Sequence, residues 1–255
     1  MSTGLKANND GSAAIQVGGT DYITISSTGA VAIPVSLSVG GIPSGGNYIL
    51  TSYVAPATWD ATTKKAAGLK AIKVTVVGAG GNGGVSGTSN PTSTGDGGGG
   101  GGGGGSAITY LPAASITPGS KTVTAGTGTN SFGPWGTATP FSPTATTTAT
   151  AGSAGGAGSI PAGGAGGAGG VGSGGSLALS GTSGLTGTNI GGASGTSAIF
   201  SASILVADIV PGSLPGTPNS IYGGGGSGGG QRSPPGGSNP GSTGAPGVVI
   251  IEEFY

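Results

Sequence analysis

Histidine and cysteine are both missing from the 255 residues. Their absence removes the commonest general base, the commonest metal ligand and the commonest covalent nucleophile, and it rules out disulfides. Charge is scarce as well. Seven basic and seven acidic residues give a net charge of zero, and charged residues make up 5% of the chain, where ordinary domains carry about 25%. No basic stripe marks a nucleic-acid surface. The one basic cluster, Lys64, Lys65, Lys70 and Lys73, reads as a solvated loop and the start of a strand. No apolar run approaches the roughly 20 residues that span a bilayer, so no membrane insertion is expected. The residues after Met1 are polar and do not form a secretory signal, which points to synthesis in a cytoplasm.

What the chain has in abundance is glycine, 64 residues, with 17 prolines and 34% hydrophobic residues. Low-complexity disorder goes with low hydrophobicity and high net charge. This composition has neither and points to an ordered structural protein. The glycine runs 97–105, 151–175 and 223–230 lie between strand-like segments. In one of them the residues other than glycine, Ala162, Ala165, Ala168 and Val171, recur every third position. Three residues per turn is the period of a polyproline-II-type helix, which has no internal hydrogen bonds. Glycine on two of three faces lets neighbouring helices approach and bond each other, so packed polyglycine-II-type helices are expected. Collagen is excluded, since glycine is a quarter of the chain and no sustained Gly-X-Y repeat occurs.

The remaining pattern is all-β. In residues 1–45, Ala14–Val17 and Tyr22–Ile25 flank the turn signal Gly18-Gly19. Ile15 and Val17 are apolar positions of the first strand. Val31, Ile33, Val35, Leu37 and Val39 then alternate with small or polar residues, so one strand face would carry all five. Pro34 marks it as an edge strand. This module reads as the part that attaches and oligomerises. Residues 46–68 read as a connector with a short strand at Tyr48–Leu50 and two helical turns between Asp60 as N-cap and Gly68. Residues 69–255 form the glycine-rich domain, with strands at 69–77, 106–111, 121–124, 198–206 and 248–254. Its expected architecture is a β-sandwich or jelly roll with glycine-rich loops leaving one end.

No motif carries convincing chemistry. Gly78-Ala-Gly80-Gly-Asn-Gly83 matches the dinucleotide fingerprint, but Gly84 to Pro91 is no helix former and cannot complete a phosphate site. The carboxylates Asp10, Asp21, Asp60, Asp96, Asp208, Glu252 and Glu253 form no evident glycosidase pair. Only Asp60, next to Trp59, has an aromatic neighbour of the kind that lines a sugar cleft. Glu252 and Glu253 are expected on opposite faces of one strand. No cofactor, metal or catalytic residue is assigned. Candidate surface anchors are Phe132, Trp135, Phe141, Tyr222 and the lone arginine, Arg232, because aromatics and Arg dominate binding surfaces. The alternative for the aromatics is a small satellite core under a long loop.

Several segments together resemble a known family. Ile72-Lys-Val-Thr-Val-Val-Gly-Ala-Gly-Gly81, Gly105-Ser-Ala-Ile-Thr-Tyr-Leu111, Ser115-Ile-Thr-Pro-Gly-Ser-Lys-Thr-Val123 and Gly244-Ala-Pro-Gly-Val-Val-Ile-Ile-Glu-Glu-Phe-Tyr255 are similar to the glycine-rich domain of bacteriophage tail fibres and adhesins. Ser2–Gly19 resembles the N-terminal module of phage fibre and virion-decoration proteins. A departure is Val123-Thr-Ala-Gly-Thr-Gly128, where the family more often has valine-glycine-alanine-glycine-glycine. The resemblance implies a non-catalytic virion fibre, on tail or capsid, that is a homotrimer, contacts other virion proteins through its N-terminus, and binds a glycan or outer-membrane protein on the host. A head or neck decoration fibre is the alternative. A polysaccharide depolymerase is the third reading, and the missing histidine and carboxylate pair speak against it.

Overall fold

The computed structural model describes residues 48–88, 97–134, 146–159, 162–188, 191–200, 221–230 and 237–255, together with the strands lying within residues 3–44. The chain forms two compact units, residues 1–48 with 254–255, and residues 49–253. The smaller unit contains β1 (Thr3–Ala7), β2 (Ala13–Val17), β3 (Thr20–Ile25) and β4 (Val31–Ala32) in one antiparallel sheet, and β5 (Leu37–Val39) paired with β6 (Ile42–Ser44). The Gly18-Gly19 turn does join an antiparallel pair, β2 with β3. The single alternating strand expected over 31–39 is corrected: β4 and β5 belong to different sheets. Pro34 lies in the interval between them, and a residue that lacks an N–H and fixes φ interrupts a ladder. Ile33 and Val35 fall outside the described residues.

The larger unit holds β7 (Tyr48–Tyr53), β8 (Ala57–Asp60), α1 (Ala61–Ala66), β9 (Ala71–Val77), β10 (Ser106–Pro112), β11 (Ser120–Thr124), β12 (Asn130–Gly133), β13 (Thr147–Ala149), β14 (Gly172–Ser173), β15 (Leu177–Leu179) and β16 (Val248–Phe254). Two five-stranded sheets result, in the orders β15-β10-β9-β16-β7 and β14-β13-β12-β11-β8. Residues 49–68 therefore lie within this unit and supply a strand to each sheet. Ile72, Val74 and Val76 alternate along β9 as their spacing predicts, and all three are buried. Val123, Phe132, Val248, Val249 and Ile251 join them in the core. The sheets are tied face to face by Asn130 Nδ2, which donates to the Val77 carbonyl at 2.6 Å, and by the Thr109–Thr147 hydroxyl pair at 2.7 Å.

Helix α1 is built as its sequence suggests. The Asp60 carboxylate accepts from the Thr62 N–H at 3.0 Å and the Thr63 N–H at 3.4 Å. Gly68, with φ +93°, follows the last turn in a conformation that other residues rarely adopt. The Thr63 hydroxyl, followed by the Thr62 N–H, holds the Asp60 carboxyl below its ordinary pKa. A carboxyl lowered by folding stabilises the fold above its unfolded pKa, near 3.9, and that contribution is lost as pH falls through the folded value. Urea unfolding is expected to show stability declining below about pH 4, with a smaller decline in Asp60→Asn, whose amide still caps but does not titrate.

Among the described residues eight glycine-rich tracts run between the strands: tract 1 (78–88), tract 2 (97–105), tract 3 (150–159), tract 4 (162–171), tract 5 (180–188), tract 6 (191–197), tract 7 (223–230) and tract 8 (237–247). Tract 2 is pure glycine and wholly buried. Its nine N–H groups donate in strict rotation to three other tracts: Gly97, Gly100 and Gly103 to tract 5, Gly98, Gly101 and Gly104 to tract 7, and Gly99, Gly102 and Gly105 to tract 3. Its carbonyls accept in the same rotation, from tract 4 (to Gly97, Gly100, Gly103), tract 6 (to Gly98, Gly101) and tract 1 (to Gly99, Gly102, Gly105). The peptide direction thus turns through a full circle every three residues, and donor and acceptor rows alternate around the tract.

The six neighbours bond to one another in a closed ring, in the order 3, 1, 7, 6, 5, 4. One bond from each contact is Gly152 N–H to Ala79, Gly226 to Gly81, Gly225 to Gly195, Thr182 to Thr196, Gly181 to Gly170 and Ser153 to Ala168. Tract 8 lies outside the ring, seated between tracts 1 and 7. Tract 4 shows why the sequence has period three. Gly164, Gly167 and Gly170 face inward and are buried, while Ala162, Ala165, Ala168 and Val171 are exposed. In this tract every residue with a Cβ points it to solvent.

Candidate binding surface

The five residues expected as surface anchors do not form one patch. Phe132 is fully buried and meets Trp59 edge-on, with ring centroids 5.8 Å apart. It is a core residue on β12, which corrects its assignment as a surface anchor: the alternation of a half-buried strand turns its ring inward. Tyr222 is 38% exposed and contacts Phe200 edge-on at 6.3 Å, where tract 7 begins. Trp135, Phe141 and Arg232 lie outside the described residues. Their described flanks differ in place. The segment with Trp135 and Phe141 leaves β12 and returns at β13, at the strand ends away from the tracts. Tracts 7 and 8, which flank Arg232 in the sequence, end and begin away from the strands.

The course of the chain gathers the ends of eight described tracts at that far end. Tracts 1 and 2, 3 and 4, 5 and 6, and 7 and 8 are consecutive, and the first of each pair leads away from the strands. Hydrogen bonds link their far ends in one layer: Gly97 N–H to Thr188, Gly98 to Gly229, Gly99 to Gly156, Gly158 to Val85 and Ser86 to Asn239. The flanks of residues 89–96, 160–161, 189–190 and 231–236 are therefore fixed side by side.

The apparent dinucleotide fingerprint is absorbed by the same bonding. The N–H groups of Gly78, Gly80 and Gly83 donate to Gly105, Ala245 and Ser242, and a tract, not a helix, follows. No phosphate cradle remains. Among the described residues no group of three or more acidic side chains is placed to hold a metal ion, and no helix is long and apolar enough to cross a membrane.

Charge is concentrated in the core and at its margin. Glu253 is fully buried on β16, and its carboxylate accepts from the Trp59 indole at 2.6 Å and the Lys64 ammonium at 2.8 Å. On the other face of the strand Glu252 pairs with Lys73 at 2.7 Å, so the two glutamates do point opposite ways. Lys65 donates to the Ile116 carbonyl at 2.8 Å. The basic cluster is thus tied to β16 and its surroundings and is more than a solvated run. Burial, then the nearby Glu253 charge, raises the pKa of Tyr53. Lys121 is nearly buried, and desolvation followed by the Lys65 charge lowers its pKa. Sequence reasoning treated Trp59 as a neighbour of Asp60. Its partner Glu253 is 194 residues away, beyond any local signal.

Compared with protein-family models and with curated proteins, the sequence matches none.

Proposed function

We propose that this chain is a bacteriophage virion fibre, structural and adhesive and not catalytic, whose glycine-rich domain displays loops to a bacterial surface. The observation that carries this reading is tract 2, a buried glycine rod bonded to six neighbours. Such a core provides no chemistry. It fixes the ends of the tracts, and with them the places from which the joining segments start. Binding residues are commonly carried on loops held by a rigid scaffold. In this reading the tracts are polyglycine-II-type helices growing from a β-sandwich. The ligand is a surface glycan or an outer-membrane protein, the smaller unit docks on the virion, and the chain works as a homotrimer.

Two segments are candidates for the contact in this reading, the one with Trp135 and Phe141 and the one with Arg232. The experiment is adsorption. Purified protein is expected to bind host cells and to compete with the phage. Replacing residues 231–236 by a Gly-Ser segment of equal length, and separately Trp135→Ala, shows which surface carries the affinity. With no net charge there is little long-range steering, so binding should change little between low and physiological salt. Failure to bind cells, with normal adsorption of phage lacking the protein, would replace this reading by that of a decoration fibre. Mass photometry of the full chain is expected to show three copies, and a stable monomer would remove the trimer.

A further inference from the structure

The seat of tract 8 is built from two rows of backbone groups. Gly80, Gly83 and Ser86 of tract 1 donate their N–H groups to Ala245, Ser242 and Asn239, and the carbonyls of Gly224 and Ser227 in tract 7 accept from Ala245 and Ser242. Those rows lie along one seam. A Cβ placed on Gly80 or Gly83 would strike the carbonyls of Gly224 or Ser227, the same carbonyls that bond tract 8.

A seam with one donor and one acceptor row recurs between tracts 4 and 5, which run antiparallel where tracts 1 and 7 run parallel. A Cβ on Gly163, Gly166 or Gly169 would strike the carbonyl of Gly187, Gly184 or Gly181. Among the described residues no tract occupies these rows. The N–H groups of Gly163, Gly166 and Gly169, and the carbonyls of Gly181, Gly184 and Gly187, have no hydrogen-bond partner among the described residues. The N–H groups of Gly164, Gly167 and Gly170 point inward to tract 2, and their carbonyls accept from tract 5. The alternation of rows around a tract then places the free donor row of tract 4 beside tract 5, facing outward. Ala165, Ala168, Ser183 and Thr186 flank the seam and are exposed.

We propose that the seam between tracts 4 and 5 is a docking groove for a ninth tract: a glycine-rich, three-residue-per-turn polypeptide segment supplied by another chain. The occupant follows from tract 8, which fills the equivalent seam with one accepting and one donating row. A repeat of three residues at about 3.1 Å each matches the spacing of both free rows. A β-strand would not, since its repeat of two loses register with them. Side-chain specificity plays little part. The requirement is a backbone that can approach, with nothing larger than a small residue at the bonded positions, as with Asn239, Ser242 and Ala245 in tract 8.

The probe is a synthetic peptide with the sequence of residues 237–247, Gly-Ser-Asn-Pro-Gly-Ser-Thr-Gly-Ala-Pro-Gly, added to the full chain labelled for amide NMR. Saturable shifts are expected at Gly163, Gly166 and Gly169, with Gly164, Gly167 and Gly170 unmoved. Thr186→Arg, at an exposed position that makes no lattice bond, should fold normally and weaken binding at least tenfold. A peptide with valine at the three bonded positions should not bind. Affinity weaker than about 1 mM would overturn the proposal, and so would shifts at Gly80 and Gly83, which would mean exchange into the seat of tract 8. Hydrogen exchange of the protein alone adds an independent measurement. Protection of the three amides that is lost on dilution would mean that a second copy already supplies the tract, which supports the groove. Protection at every dilution would mean that the chain covers its own seam, which overturns it. Neither outcome depends on whether the protein adsorbs to cells.

Discussion

Gly101→Val is expected to abolish folding. Gly101 lies in the middle of tract 2, and a Cβ there falls inside contact distance of the Gly81 and Asn82 carbonyls. Ordinary overpacking costs about 1–3 kcal/mol, because side chains shift to make room. Here the obstacle is backbone on every side, and each obstructing strand is bonded to two or more others. Relief requires breaking several hydrogen bonds at about 1 kcal/mol each, and it leaves buried N–H groups unpaired. The sum, at least about 5 kcal/mol, equals much of the stability of an ordinary domain. Ala165→Val is the matched control. It adds similar volume at an exposed tract position and is expected to stay within about 0.5 kcal/mol of wild type. Thermal melting with circular dichroism separates the two. A Gly101→Val protein that melts like wild type would contradict the bonding pattern. Gly166→Val should fall between them, since its Cβ strikes the Gly184 carbonyl at the margin of the lattice, where tract 5 has fewer neighbours.

The second large effect is expected at Glu253. Alanine there removes the acceptor of the Trp59 N–H and the counter-charge of Lys64, and it opens a cavity beside the largest buried side chain of the core. A buried donor without a partner costs about 1–3 kcal/mol, and cavity formation adds to it. Glu253→Ala is therefore expected to cost about 3–5 kcal/mol in urea unfolding. Glu253→Gln keeps the shape and one oxygen for Trp59, so its cost should be about 1 kcal/mol. Lys64→Met leaves a carboxylate buried with one partner fewer and is expected to cost at least as much as Glu253→Ala, because an uncompensated buried charge is the most expensive remnant of a broken pair. Equal effects for Glu253→Ala and Glu253→Gln would show that the charge, and not the acceptor geometry, governs the site.

These long-range pairings mark where the sequence stops being readable. β9, β10 and β16 announce themselves by apolar alternation and β-branched residues, and the helix over 61–66 by its Asp60 cap and Gly68. The three-residue period of 162–171 reappears in hydrogen bonds and exposure. In contrast, β8, β12 and β13 are short stretches of small and polar residues, with one aromatic in each of β8 and β12 and none in β13. Their strand character comes from pairing, not propensity. Residues 198–206 were expected as a strand from their apolar content. Ala198–Phe200 form a bend held by the Ser197 hydroxyl, which bonds the Phe200 carbonyl and N–H at 3.0 Å each, and the rest lies outside the described residues. Phe132 illustrates the limit for the binding surface. A rare aromatic in a Pro- and Thr-rich stretch has the same sequence signature whether it faces solvent or Trp59. Nor could composition reveal that tract 2 is the centre of a ring, since one neighbour precedes it and the other five are spread over residues 150–230.

That ring also sets an order of assembly. Tract 2 spans residues 97–105, yet its hydrogen bonds reach Gly229, and β16, between β9 and β7 in its sheet, ends at Phe254. During synthesis the glycine rod waits for the last of its partners while about 120 further residues are added at roughly 5–20 per second. Contacts so distant in sequence close slowly, so the lattice cannot grow tract by tract as a repeat protein does. Closure of the ring is therefore expected late in folding. The same interlocking should make it slow to come apart, because no tract can leave without breaking the bonds of its neighbours, so persistence outside a cell would rest on a high barrier to unfolding more than on a large equilibrium stability.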